Sequence, residues 1–207
     1  MRRTPRASLA TLATALLVAG GCLTPNIPPM PRLATAQVSN DFDSYTIRRV
    51  GILPFQGRTL TDGQRAALQS TLLAEVTRST PYEVVVLDRS DLGMIEASSP
   101  HLRGWYRPKT VIQLSKRYTL DAILFGTVTD ERFFPPQRLS MSVDLVSAET
   151  GLVIWNSSIH MDANDRRVED GLRAYYATED DPDAWRLALL SPERFATFAA
   201  YQLACLL

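Results

Sequence analysis

The chain has 207 residues, 45% hydrophobic and 21% charged, enough for one domain with a real core, too few for two comfortable ones, and unlike a disordered chain. Lysine and arginine together number 22, as do aspartate and glutamate. Removal of Arg2, Arg3 and Arg6 with a cleaved leader leaves a net charge of −3, which excludes the basic footprint of a nucleic-acid binder or of a protein held electrostatically on an anionic membrane.

The three arginines open the chain and residues 7–18 are apolar with small polar residues interspersed. That stretch is too short and too weakly hydrophobic for a spanning helix and has the form of an export signal. Leu17-Val18-Ala19-Gly20-Gly21-Cys22 follows and resembles the lipobox of bacterial lipoproteins, in which cleavage precedes a cysteine that receives diacylglycerol. Ala19 stands where that pattern usually has leucine. Residues 1–21 are therefore expected to be a signal peptide and Cys22 to be the lipidation site. By resemblance to the sorting rule of diderm bacteria, Leu23 in place of aspartate implies the outer membrane, with the domain facing the periplasm. Cys205 is the one other cysteine, so acylation of Cys22 leaves no partner for an intramolecular disulfide.

Residues 22–44 carry Pro25, Pro28, Pro29 and Pro31 without strand or helix periodicity, and are expected to form a tether. A strand is predicted over residues 48–55. Thr61 and Gln64 have capping-box spacing ahead of Leu68, Leu72 and Val76, the stripe of an amphipathic helix. Val84-Val85-Val86-Leu87 is continuously apolar and predicts a strand buried on both faces. A short helix over 90–97 and a further helix over 109–118 come next. Ala122-Ile123-Leu124-Phe125 predicts another buried strand. Leu139, Met141, Val143 and Leu145 alternate with polar residues, which predicts a strand with one wet face. Gly151 is placed to turn it into a hairpin partner over 152–161. A helix over 165–176, an acidic break at 179–183 and a last helix capped by Ser191 end the chain. The last helix carries Phe195, Phe198, Leu203 and Leu206 on one side.

Four segments in order are similar to one family. Val50 to Phe55, Val86 to Leu92, Asp121 to Val128, and Val143 to Gly151 with Trp155 resemble the core strands of the CsgG, LpoB and TolB amino-terminal group. The resemblance spans residues 47 to about 160. It implies an α/β fold, a mixed β-sheet packed with helices in an anticodon-binding-like sandwich of order β-α-β-α-β-β-β, occupying residues 45–162; the C-terminal helical extension over 163–207, expected to pack on the domain, has no counterpart in the group. It also implies a periplasmic, non-enzymatic role in envelope assembly, secretion or cell-wall synthesis. The curli secretion members insert long hairpins that build a membrane barrel. Here the connections after Thr129 and Ala148 are too short for strand pairs of about 9–11 residues each.

Catalytic and metal-binding signatures are missing. His101 and His160 lie on different elements without carboxylates or cysteines at ligand spacing. No nucleophile elbow, phosphate-cradling loop or dinucleotide fingerprint occurs. No catalytic residue, metal, cofactor, nucleic acid or small-molecule substrate is therefore expected. The acidic run 179–183 lacks the alternation of an ion loop, and Asp88-Arg89 has the form of a solvated rim or a local ion pair. Trp105, Tyr106, Phe133 and Phe134, aromatics beside arginine and proline, are the candidates for contact with an envelope protein partner. The expected function is an assembly factor; a subunit of an oligomeric export complex and an unrecognised envelope hydrolase are the alternatives.

Overall fold

The computed structural model describes residues 29–91 and 107–207. Its strands are β1 (Ala34–Val38), β2 (Arg49–Ile52), β3 (Glu83–Val86), β4 (Ala122–Arg132), β5 (Arg138–Ser147) and β6 (Val153–Asp162). They form one sheet in the order β1-β6-β5-β4-β2-β3. β2 is parallel to β3 and β4, while β4, β5, β6 and β1 are antiparallel in succession. The helices are α1 (Asp62–Ser79), α2 (Pro108–Tyr118), α3 (Arg166–Tyr176) and α4 (Pro192–Ala204), with short 3-10 turns at Phe42–Ser44 and Ala184–Leu189. The expected fold class, a mixed sheet packed with helices and ending in a helix, is the one observed.

Local chemistry explains the element boundaries. Thr61 accepts from the Gln64 N–H at 3.3 Å while the Gln64 side chain accepts from the Thr61 N–H at 2.8 Å, a closed capping box at the start of α1. α2 opens on Pro108, whose missing N–H is no loss there, and Thr119 at φ 56° ends it. Ser191 caps α4 through the Arg194 N–H.

The sheet divides two cores. On one face α1 and α4 cover Val50, Ile52, Leu124, Val143, Leu145, Met161 and their neighbours, with Leu72, Val76, Phe195, Phe198 and Leu203 filling the gap. The C-terminal helix thus shares the main core with the sheet. On the other face α2 brings Val111 and Leu114 onto Leu53, Leu87, Ile123, Phe125 and Val146. This second core ends at Val146 and Val153, and the rest of the β6–β1 side of that face is polar: Thr35 and Gln37 are exposed, and Ser140 and His160 bond at 2.6 Å.

Three expectations are corrected. Residues 34–38, inside the expected tether of 22–44, form the edge strand β1, because Ala34 to Val38 pair with Ile159 to Trp155 and Ala34 is buried in the main core. β3 is a sheet edge and not a strand buried on both faces. Val84 and Val85 are half-buried, one toward each core, but Val86 is 54% exposed because, among the described residues, β2 alone flanks it. The predicted wet face of β5 is buried at Ser142 and Asp144, since β5 lies between β4 and β6 and Asp144 accepts from the Asn156 amide. The short helix expected over 90–97 falls largely outside the described residues.

Gly151 has a positive φ of 69°, and a Cβ there would overlap the Cα of Pro108 at the start of α2. Gly151→Ala is accordingly expected to cost about 2 kcal/mol or more, the sum of left-handed strain and a backbone shift. Urea denaturation should show a lower midpoint at unchanged slope.

Candidate interaction surface

β4 and β5 are joined by Phe133 to Gln137 at the end of the sheet where β6 also finishes. Phe133 folds back, half-buried, into a small cleft with Gln64, Leu68, Pro192 and Ala196. Phe134 points the other way and is 69% exposed, with the Arg132 guanidinium 5.9 Å from its ring centre. The two aromatics, equivalent in the sequence, thus separate into a packing residue and a surface residue. Trp105, Tyr106 and Cys22 lie outside the described residues, as does His101.

The connection is held from below. The buried Gln137 donates its Nε2 to the Ala188 carbonyl at 3.4 Å, and its own carbonyl accepts from the Ala163 N–H at 2.9 Å. Ala188 belongs to the 3-10 turn Ala184–Leu189, anchored by buried Trp185, whose ring lies 4.9 Å below the Arg173 guanidinium and 5.6 Å from that of Arg186. With Trp185 and Ala188 turned inward, Leu187 (51% exposed) and Leu190 (63%) face water. These two leucines escape sequence reading, because a six-residue 3-10 turn has no periodicity to separate its outer from its inner side chains. The signal was present only as an apolar run after an acidic break.

The charges around this end are locally satisfied. Arg138 bridges Asp130 and Asp162, at 3.5 and 3.2 Å. The Asn164 backbone N–H, assisted by Arg138, holds the Asp162 carboxyl below its ordinary range, whereas burial and then neighbouring Asp130 raise Glu131. Arg186 pairs with Asp183 at 3.0 Å, and both are well exposed. Exposed pairs of this kind contribute little to stability.

Elsewhere the polar groups hold the fold. Asp121 Oδ2 accepts from the Arg48 and Arg49 N–H groups at 2.9 and 2.8 Å. Gln69 donates to the Ile52 and Leu87 carbonyls, both at 2.8 Å. Arg89 pairs with Asp62 at 2.5 Å, a local ion pair on the surface. A cavity of about 450 Å³ under the C-terminus of α2 is lined by Tyr45, Ser115, Lys116, Asp121 and Glu149, without a nucleophile set against a base. Among the described residues, no group of three or more histidine, cysteine or acidic side chains could hold a metal, and no helix is long and apolar enough to cross a membrane.

Against known proteins, no family model and no curated sequence matches the chain. Among solved structures, the fold is similar to the PelC dodecamer from Paraburkholderia phytofirmans, at TM-score 0.51 and 10% identity, covering 83% of this chain and 94% of that one. More distant is Lipoprotein GNA1162 from Neisseria meningitidis, at TM-score 0.39 and 17% identity, covering 55% and 79%. The LpoB C-terminal domain from Escherichia coli scores 0.39 at 16% identity, covering 57% and 86%. At such identities the likeness to PelC is one of fold.

Proposed function

We propose that the chain is a lipid-anchored lipoprotein of the outer membrane, with its α/β domain in the periplasm, acting as a non-enzymatic binding or assembly factor for an envelope machine. The observation that carries the reading is a conjunction. A cysteine at the end of an export signal, Leu17 to Cys22, stands directly ahead of a fold like that of PelC. In this reading residues 1–21 are removed, Cys22 and the residues up to about 33 form anchor and tether, and the remainder is one folded body. Trp105 and Tyr106 are the proposed contacts to a protein partner.

A second reading, a subunit of a homo-oligomeric export complex related to the CsgG group, is favoured by two observations. The similar PelC is a dodecamer. Among the described residues the sheet also ends in two unpaired edges, β1 and β3, carrying Val38 and Val86 at 55% and 54% exposure. Open edges with apolar side chains invite another chain.

Intact-mass analysis of the native protein, extracted in mild detergent, tests both. A mature N-terminus at an acylated Cys22 is the expected result, and an uncleaved leader or a free Cys22 thiol would overturn the anchor. A native mass at a multiple of the subunit supports the oligomer, and a monomer at all concentrations would rule it out.

A further inference from the structure

The exposed apolar end of the domain is also the end by which the chain enters it. Before β1, the Arg32 carbonyl accepts from the Arg167 guanidinium at 3.0 Å, in the first turn of α3. α3 follows directly on Ala163, whose N–H donates to Gln137, and Gln137 in turn holds Ala188. Three contacts therefore connect the entry of the chain to the connection bearing Phe134 and to the turn bearing Leu187 and Leu190. Met30, one residue into the described chain, is a further exposed apolar side chain.

The tether limits where this end can go. Seven peptide links separate Cys22 from Pro29, a reach of at most about 25 Å when fully extended and on the order of 15 Å as a flexible coil. A lipid on Cys22 would hold this end, and not the opposite one with the 148–152 turn, next to the bilayer.

We propose that Phe134, Leu187 and Leu190 form a seat that enters the surface of the phospholipid bilayer holding the Cys22 anchor. The proposal rests on the lipoprotein reading above. Apolar side chains of this kind sit at the boundary between headgroups and acyl chains, roughly 5–10 Å deep. Arg132, stacked on Phe134, extends its guanidinium group from an apolar stem to the phosphates, while Arg186 stays paired with Asp183. Phe134 is thereby assigned to lipid in place of a protein partner. The seat fixes the orientation of the domain, so that the tether acts with a second, weaker attachment.

Site-directed spin labelling of the lipidated full-length protein tests this. In a Cys205→Ser background, Phe134→Cys, Leu190→Cys and Leu152→Cys are labelled and the protein is reconstituted in phosphatidylethanolamine–phosphatidylglycerol vesicles. All three positions are exposed, so folding is not at stake. The ratio of collisions with oxygen to those with a water-soluble nickel chelate should be several-fold higher at 134 and 190 than at 152. Equal, water-like ratios would overturn the seat. Shielding from both reagents at 134 and 190 would also overturn it, and would place a second copy of the chain there. The mass of the Cys22 peptide separates the two levels: an unacylated Cys22 fails the anchor and the seat together, whereas an acylated Cys22 with wet labels fails the seat alone.

Discussion

Phe198→Ala is expected to destabilise the protein by about 3–5 kcal/mol, the usual cost of emptying a buried aromatic site. The ring is fully buried in the main core. It lies 5.5 Å from the ring of Tyr175 on α3 and 6.4 Å from that of Tyr201, and packs over Gly171, beside which Pro31 at the chain entry also lies. Gly171 leaves room for this ring, because a Cβ at 171 would collide with it. The neighbouring rings cannot collapse freely into the gap. Tyr175 is tied by hydrogen bonds to Glu75 and Arg78, and Tyr176 donates to the Arg194 carbonyl at 2.7 Å, its pKa pushed up to about 12 by burial. A domain holds about 5–15 kcal/mol in total, so the variant should melt on the order of 10 °C lower. Thermal melts of both proteins in the same detergent decide the matter. An unchanged melting temperature would mean that this side of α4 serves a partner and not the core.

Cys22→Ala should abolish acylation altogether and leave an unprocessed, mislocalised precursor. The effect is all-or-none because the anchor is covalent, each buried CH₂ contributing roughly 0.8 kcal/mol to membrane attachment. No exposed apolar patch among the described residues matches that. Metabolic labelling with a palmitate analogue reads the result directly, and label retained on the alanine variant would sink the lipobox assignment. If the bilayer seat exists, a chain begun at Leu23, with neither leader nor lipid, should still wash off membranes, since three apolar side chains alone bind weakly and reversibly.

How much of this was legible in the sequence depended on whether the signal was local. The capping box at Thr61 and Gln64 and the positive-φ turn at Gly151 are decided within a few residues, and both appear where the residue types place them. β1 was not legible. Ala-Thr-Ala-Gln-Val carries no apolar alternation, since four of its five residues are exposed and its place is settled by backbone pairing with β6. Periodicity also reports burial only as far as neighbouring strands allow. The apolar run of β3 ended at an edge, and the polar residues of β5 ended inside, because strand order is a property of the whole sheet. At the surface site, Phe134 was recognisable as an aromatic among prolines and arginine. Leu187 and Leu190 are turned outward only by the 3-10 turn that buries Trp185 and Ala188.

The pairing of Ala34 with Ile159 sets the order in which the sheet can be completed. Closing so long a loop is entropically costly, and contacts this distant in sequence slow folding. During synthesis the first strand to emerge has no partner until nearly all of the domain has followed it. β6 meanwhile exposes an open edge, the kind of template on which other unfolded chains pair. The first strand of the sheet is thus the last to dock, and under the proposed anchor it is also the strand next to the membrane.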